Sequence, residues 1–160
     1  DPDRLGILLG EYLKMKYGPT FVKPEEKSRL SQIAAALKER AKTLVEMAEM
    51  AACYFAEPSS MEIDPEARGK FLTPQTLPIL VKLRQAIAQS PSLDQAVLDP
   101  IFKDLLVKEG IKMNQLAQPL RLALTGKTYS PGIYDVLGLM GRHKSLEHLD
   151  QAIREIQENV

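Results

Sequence analysis

The stretch Asn114-Gln-Leu-Ala-Gln-Pro-Leu-Arg-Leu-Ala-Leu-Thr-Gly126 decides the fold. A helix is expected from about residue 114 to 124, with Leu120, Leu122 and Leu124 anchored in a core and Gly126 stopping it. Pro119 interrupts the pattern. It has no N–H for the ladder, and it turns the residue before it away from helical angles. A break is therefore expected at Gln118, with Pro119 opening the next helix and Arg121 in a first turn.

Moving outward, the same helical spacing recurs. Downstream, Ser130-Pro131 reads as the cap of a helix ending at Gly141, and Ser145 as the cap of a last helix running to about Gln157. Upstream, Thr73-Pro74 opens a helix that ends near Ser90-Pro91. Ser92 and Gln95 have capping-box spacing, and Asp99-Pro100 reads as a restart that ends at Gly110. The first half predicts a helix over residues 3–16, with Leu5, Ile7, Leu8, Tyr12 and Leu13 on its apolar face and Gly18-Pro19-Thr20 as its stop. Pro24 opens a region that runs to about Phe55, as two helices meeting near residues 38–40, with Glu25 and Glu26 favoured in its first turn.

Nothing in the 160 residues alternates like a strand, so the expected class is all-α. Residues 56–72 read as a linker, which divides the chain into two packed helical subdomains at 1–68 and 69–160. Helices this short are marginal alone and must pack on one another.

Hydrophobic residues make up 44% and charged residues 26%, a globular balance. Lys+Arg and Asp+Glu both number 21, so binding to nucleic acid by bulk charge is disfavoured. The local distribution differs. Residues 111–134 hold no acid, and residues 111–144 hold Lys112, Arg121, Lys127, Arg142 and Lys144 against Asp135 alone. One cysteine, Cys53, rules out an internal disulfide and fits a reducing cytoplasm. No apolar run reaches the roughly 20 residues that span a bilayer, so no membrane role is expected. The chain begins at Asp1 without Met, which reads as a piece cut from a longer protein.

The residues offer no catalytic constellation. His143 and His148 are five apart, not the four of a zinc helix, and read as surface residues near a helix start. No metal site is expected. There is no Gly-rich phosphate loop and no Gly-x-Ser-x-Gly elbow. Cys53, between Ala52 and Tyr54, reads as a buried inert thiol. Met47, Met50 and Met61 read as core filling.

The segment Ala117-Gln-Pro-Leu-Arg-Leu-Ala-Leu-Thr-Gly126, followed by Ser130-Pro-Gly-Ile-Tyr-Asp-Val-Leu-Gly138 and Arg142, resembles the C-terminal end of bacterial glutamyl-tRNA synthetases. Arg40-Ala-Lys-Thr-Leu44 is similar to another segment of that family. The resemblance covers most of the chain. It implies a helical cage that grips the tRNA anticodon loop, cut away from an N-terminal Rossmann domain whose HIGH-like and KMSKS-like motifs bind ATP. Neither motif is present here, so the piece is expected to be non-catalytic and to need no cofactor. ATP and Mg²⁺ would belong to the whole glutamate–tRNA ligase. The implied partners are tRNA(Glu), tRNA(Gln) in some members, and the catalytic half, in a cytoplasmic monomer.

The resemblance also assigns roles. Arg121, with Ser130, would read the middle anticodon base, and Ile133 would lie against the third. Arg40 matches a position that reads the first base in some members. Pro131 and Gly132 would complete a helix N-terminus whose N–H groups meet the RNA, the glycine allowing close approach. Lys127, Arg142 and Lys144 are the expected phosphate contacts. The competing reading is a helical protein–protein adaptor, which has no reason to keep acids out of residues 111–134.

Overall fold

The computed structural model describes residues 1–159, and among them it contains nine α-helices and no strand. The chain separates into two compact units, Asp1–Met61 and a second from Glu62 onward.

The first unit is built on α1 (Pro2–Tyr17), α2 (Leu30–Leu37) and α3 (Leu44–Ala51). Asp1 caps α1 by accepting from the Asp3 N–H at 3.2 Å, and Pro2 takes the first helical position, where its missing N–H costs nothing. Gly6, Leu9 and Leu13 are buried, whereas Ile7 and Leu8, expected on the apolar face, are exposed. The reason is steric. A Cβ on Gly6 would sit 2.9 Å from the Ser31 backbone nitrogen, so the glycine lets α1 and α2 approach backbone to backbone. A search for large apolar side chains cannot see that face. Gly6→Ala gains about 1 kcal/mol of helix propensity but forces apart two packed backbones, which costs about 1–3 kcal/mol. A net loss of stability is expected in urea unfolding, and a gain would mean that the helices separate freely.

Residues 24–29 form a 3-10 turn rather than the start of an α-helix, and the chain breaks again between α2 and α3. Thr43 caps α3, its Oγ1 accepting from the Glu46 N–H at 3.1 Å. Ile33, Leu37, Met47 and Tyr54 fill the core, and Cys53 is buried with its thiol donating to the Met50 carbonyl. Of the methionines read as core filling, Met47 is buried and Met50 and Met61 are half-buried.

The second unit contains α4 (Pro65–Phe71), α5 (Leu77–Gln89), α6 (Gln95–Glu109), α7 (Met113–Thr125), α8 (Ile133–Met140) and α9 (Arg142–Glu158). Residues 62–71 belong here. Asp64 caps α4 through the Ala67 N–H at 3.1 Å and donates its own N–H to the Gly126 carbonyl at 3.1 Å. The chain thus divides after Met61 rather than at 68, and the expected linker contains a helix.

Helix α7 is the hub, touching each of the other five helices of its unit. Leu116, Leu120, Leu122, Ala123 and Leu124 are all buried, which explains why its leucines do not follow a single helical stripe. Packing on all sides also corrects the expected break at Pro119. The helix runs through it unbroken, so Arg121 lies in its third turn, not a first turn. A helix-interior proline costs about 3 kcal/mol, and burying several leucines at about 2 kcal/mol each outweighs it.

Other local readings are corrected in the same way. Helix α6 starts at Gln95 and continues through Pro100, so the Ser92–Gln95 capping box does not form. Instead the Ser92 Oγ accepts from the Asp94 N–H at 3.2 Å. Ser130 is not the cap of α8, which follows Gly132. Ser145 lies inside α9, fully buried, and His148, expected at the surface, is 1% exposed, while His143 is exposed. A helix whose apolar side faces α5, α7 and α8 carries whatever polar residues share that side into the core.

Ion pairs tie the rim of the unit. Arg84 holds Asp150 through two bonds at 2.9 and 3.2 Å, and Arg68 meets Glu155 at 2.6 Å. Burial works to raise the Glu155 carboxyl, but bonds from Gln151 and Arg68 outweigh it and hold the group below its ordinary value.

Candidate nucleic-acid interface

Helix α7 ends at Gly126 with φ 77°, a left-handed angle that favours glycine. Its N–H closes the helix on the Leu122 carbonyl at 2.8 Å. The loop from Gly126 to Gly132 then leads to α8. Two side chains fix this loop. The Thr125 Oγ1 lies 2.8 Å from the Arg121 carbonyl and accepts from the Lys127 N–H at 3.1 Å, which folds the loop's first residues back on the helix end. Five residues on, the Ser130 Oγ accepts from Arg121 Nε at 2.8 Å and donates to the Pro131 carbonyl at 2.7 Å.

The structure therefore brings Arg121 and Ser130 together, both half-buried. The guanidinium is oriented from two sides, since its Nη1 also donates to Gln118 Oε1 at a longer 3.4 Å. A planar donor fork held in this way lies in a fixed plane. The sequence alone gives Thr125 no role and Gln118 only that of a helix break. The signal for Thr125 was its place just before the helix-ending glycine. Gln118 sits one helical turn before Arg121, the spacing at which helix side chains meet.

Gly132 starts α8 with no side chain capping it. Its φ of −50° is open to any residue, and a Cβ there would make only an ordinary contact with the Asp135 carboxylate at 3.5 Å. Asp135 already places a negative charge in the first turn of α8. This helix start is thus better suited to a neutral acceptor edge than to a phosphate. Pro131 is buried and Ile133 is 6% exposed, so both serve mainly to seat α8.

The remaining basic residues divide. Lys127 extends its Nζ over the Tyr129 ring, 5.8 Å from the centroid, at the loop surface. Arg142 turns inward instead. Its Nη1 donates to the Ile87 carbonyl and reaches the Ser90 Oγ at 3.2 Å, so it closes the C-terminal end of α5 rather than standing out as a phosphate contact. Lys144 is half-buried on α9. Arg40 belongs to the first unit, exposed in the turn after α2, with its N–H on the Leu37 carbonyl at 3.0 Å. Among the described residues no group of three or more His, Cys, Asp or Glu is placed to hold a metal ion, and no helix is long and apolar enough to cross a membrane.

A family model described as an anticodon binding domain matches residues 7–153. The chain is 38% identical over 130 residues to the glutamate–tRNA ligase of Anaeromyxobacter sp. (strain K), covering 81% of this chain and 27% of that protein. It is 37% identical to the glutamate–tRNA ligase of Desulfosudis oleivorans, covering 100% of this chain and 36% of that protein. The chain thus spans between about a quarter and a third of the length of these relatives. Among solved structures, a glutamate tRNA ligase from Elizabethkingia meningosepticum superposes with a TM-score of 0.76 at 20% identity, over 98% of this chain and 30% of that one. At that identity the likeness speaks for the fold.

Proposed function

The chain belongs to the anticodon-binding domain family, and from that premise we propose that it serves a glutamate–tRNA ligase by gripping the anticodon loop of tRNA(Glu). The single observation that carries this reading is the Arg121–Ser130 pair, held at 2.8 Å on an acid-free loop. Single-stranded RNA is read by splaying its bases and bonding their edges. A pre-oriented guanidinium beside a hydroxyl offers donors and an acceptor within one base width. The 3.4 Å bond to Gln118 is weak enough to be exchanged for a base edge. The middle anticodon base is the proposed target. The fold itself does not require glycine at Gly132, and close passage of RNA over the start of α8 gives that glycine a reason.

The joining of glutamate to tRNA, with its ATP and Mg²⁺, belongs in this proposal to the remainder of a longer cytoplasmic enzyme. This chain supplies positioning and specificity. Members that also accept tRNA(Gln) would differ at the third base. Arg40 would meet the first, and Ile133 would act by holding the start of α8.

With zero net charge, generic attraction to RNA is small, so discrimination should be visible at low salt. The test is a titration with the anticodon stem-loop of tRNA(Glu) beside one whose middle base is changed. The native loop is expected to bind tighter, and Arg121→Ala to lose about 1–3 kcal/mol of that binding. Equal binding of both loops by the unaltered chain would leave charge attraction alone, and this reading would fall.

A further inference from the structure

We propose that the Tyr129 ring is a stacking platform for a base of single-stranded RNA, an inference that rests on the anticodon-loop reading above. Tyr129 is 58% exposed, whereas Tyr54 and Phe102 are essentially buried. Tyr17, the other exposed aromatic, is stacked on Phe21 at 4.5 Å. Among the described residues no other ring meets Tyr129. An amphipathic ring left in water at a loop tip loses burial energy that a partner can recover.

Three features favour RNA as that partner. Lys127 Nζ lies 5.8 Å from the ring centroid, so a positive charge stands beside the ring that could meet the phosphate of a nucleotide bound there. No acid lies within residues 111–134 to repel a phosphate chain. The loop is fastened on either side of the ring, at Lys127 by Thr125 and at Ser130 by Arg121, so the platform is ordered before RNA arrives. Every base has a π-face, so stacking here adds affinity without sequence preference, whereas Arg121 reads an edge and adds preference. One loop thereby separates grip from reading.

The test uses the whole chain at fixed low salt with three hairpin RNAs: the native anticodon loop, the same loop with its middle base changed, and the stem closed by a short non-anticodon loop. Tyr129→Ala and Tyr129→Leu are each expected to weaken the first two by the same factor, roughly 5- to 100-fold, with Tyr129→Phe within about twofold of wild type. The variants should unfold like wild type, since the side chain is exposed. If Tyr129→Ala binds as tightly as wild type, or Tyr129→Leu restores the affinity, the platform is refuted while the anticodon reading stands. Loss of preference between the two loops rather than of affinity would make Tyr129 a sequence reader and also refute the platform. Conversely, if wild type shows no preference between the loops but Tyr129→Ala weakens both, the anticodon reading fails and the platform holds. No binding of any hairpin by wild type removes both.

Discussion

Phe102→Ala is expected to lower the unfolding free energy by about 3–5 kcal/mol, the largest loss of any single truncation considered. Phe102 is fully buried on α6, and its ring lies 5.5 Å from that of Tyr134 on α8. The substitution removes the apolar surface and leaves a cavity, because helices fixed to a common hub cannot all close on it. Tyr134 would lose more than a neighbour. Its hydroxyl donates to Asp99 at 2.7 Å, and burial together with that bond holds the phenol well above its ordinary pKa, so it stays protonated and bonded. That bond and the ring contact tie α8 to α6, and α8 begins at the edge of the Arg121–Ser130 loop. Urea unfolding should show a lower midpoint with an unchanged slope. Melting should fall by roughly 6–20 °C. Phe102→Leu, which keeps most of the volume, should cost under about 1.5 kcal/mol. Equal losses for the two variants would show that the aromatic contact, and not the cavity, sets the cost.

Gly126→Ala is expected to cost roughly 2–4 kcal/mol, and it strikes the candidate site directly. Two effects add. At φ 77° an L side chain is strained, and the added Cβ would collide with the Glu62 carbonyl oxygen, which is backbone and cannot swing away. Relief requires residues 62–64 to move, and that breaks the bond from the Asp64 N–H to the Gly126 carbonyl. The loop behind Arg121 then loses its anchor, so RNA binding should weaken along with stability. Gly69→Ala is the matched comparison. Gly69 is inside α4 with nothing within 4 Å of an added Cβ, so alanine should stabilise by about 0.5–1 kcal/mol. Stability is compared by urea midpoint. If Gly126→Ala leaves the midpoint unchanged, the 62–64 segment yields freely and does not hold the loop.

The sequence by itself determined the class and most of the helix ends. Local chemistry acts over a few residues, so Gly110, Gly126 and Gly141 mark helix ends directly. It also isolated Arg121 and Ser130, because the acid-free loop and the resemblance both lie in contiguous sequence. What only the tertiary structure decided is wherever several helices share the same residues. Pro100 and Pro119 read as breaks, yet both helices run through, because long-range burial outweighs a local penalty of a few kcal/mol. Ser145 reads as a helix cap and His148 as a surface residue, and both are buried because α9 is covered on that side. Arg142 reads as a phosphate ligand, and its guanidinium instead closes α5, more than fifty residues away in sequence. Gly6 shows the limit most plainly. A helix face made by the absence of a side chain becomes legible only when the backbone that fills it, at Ser31, is in place.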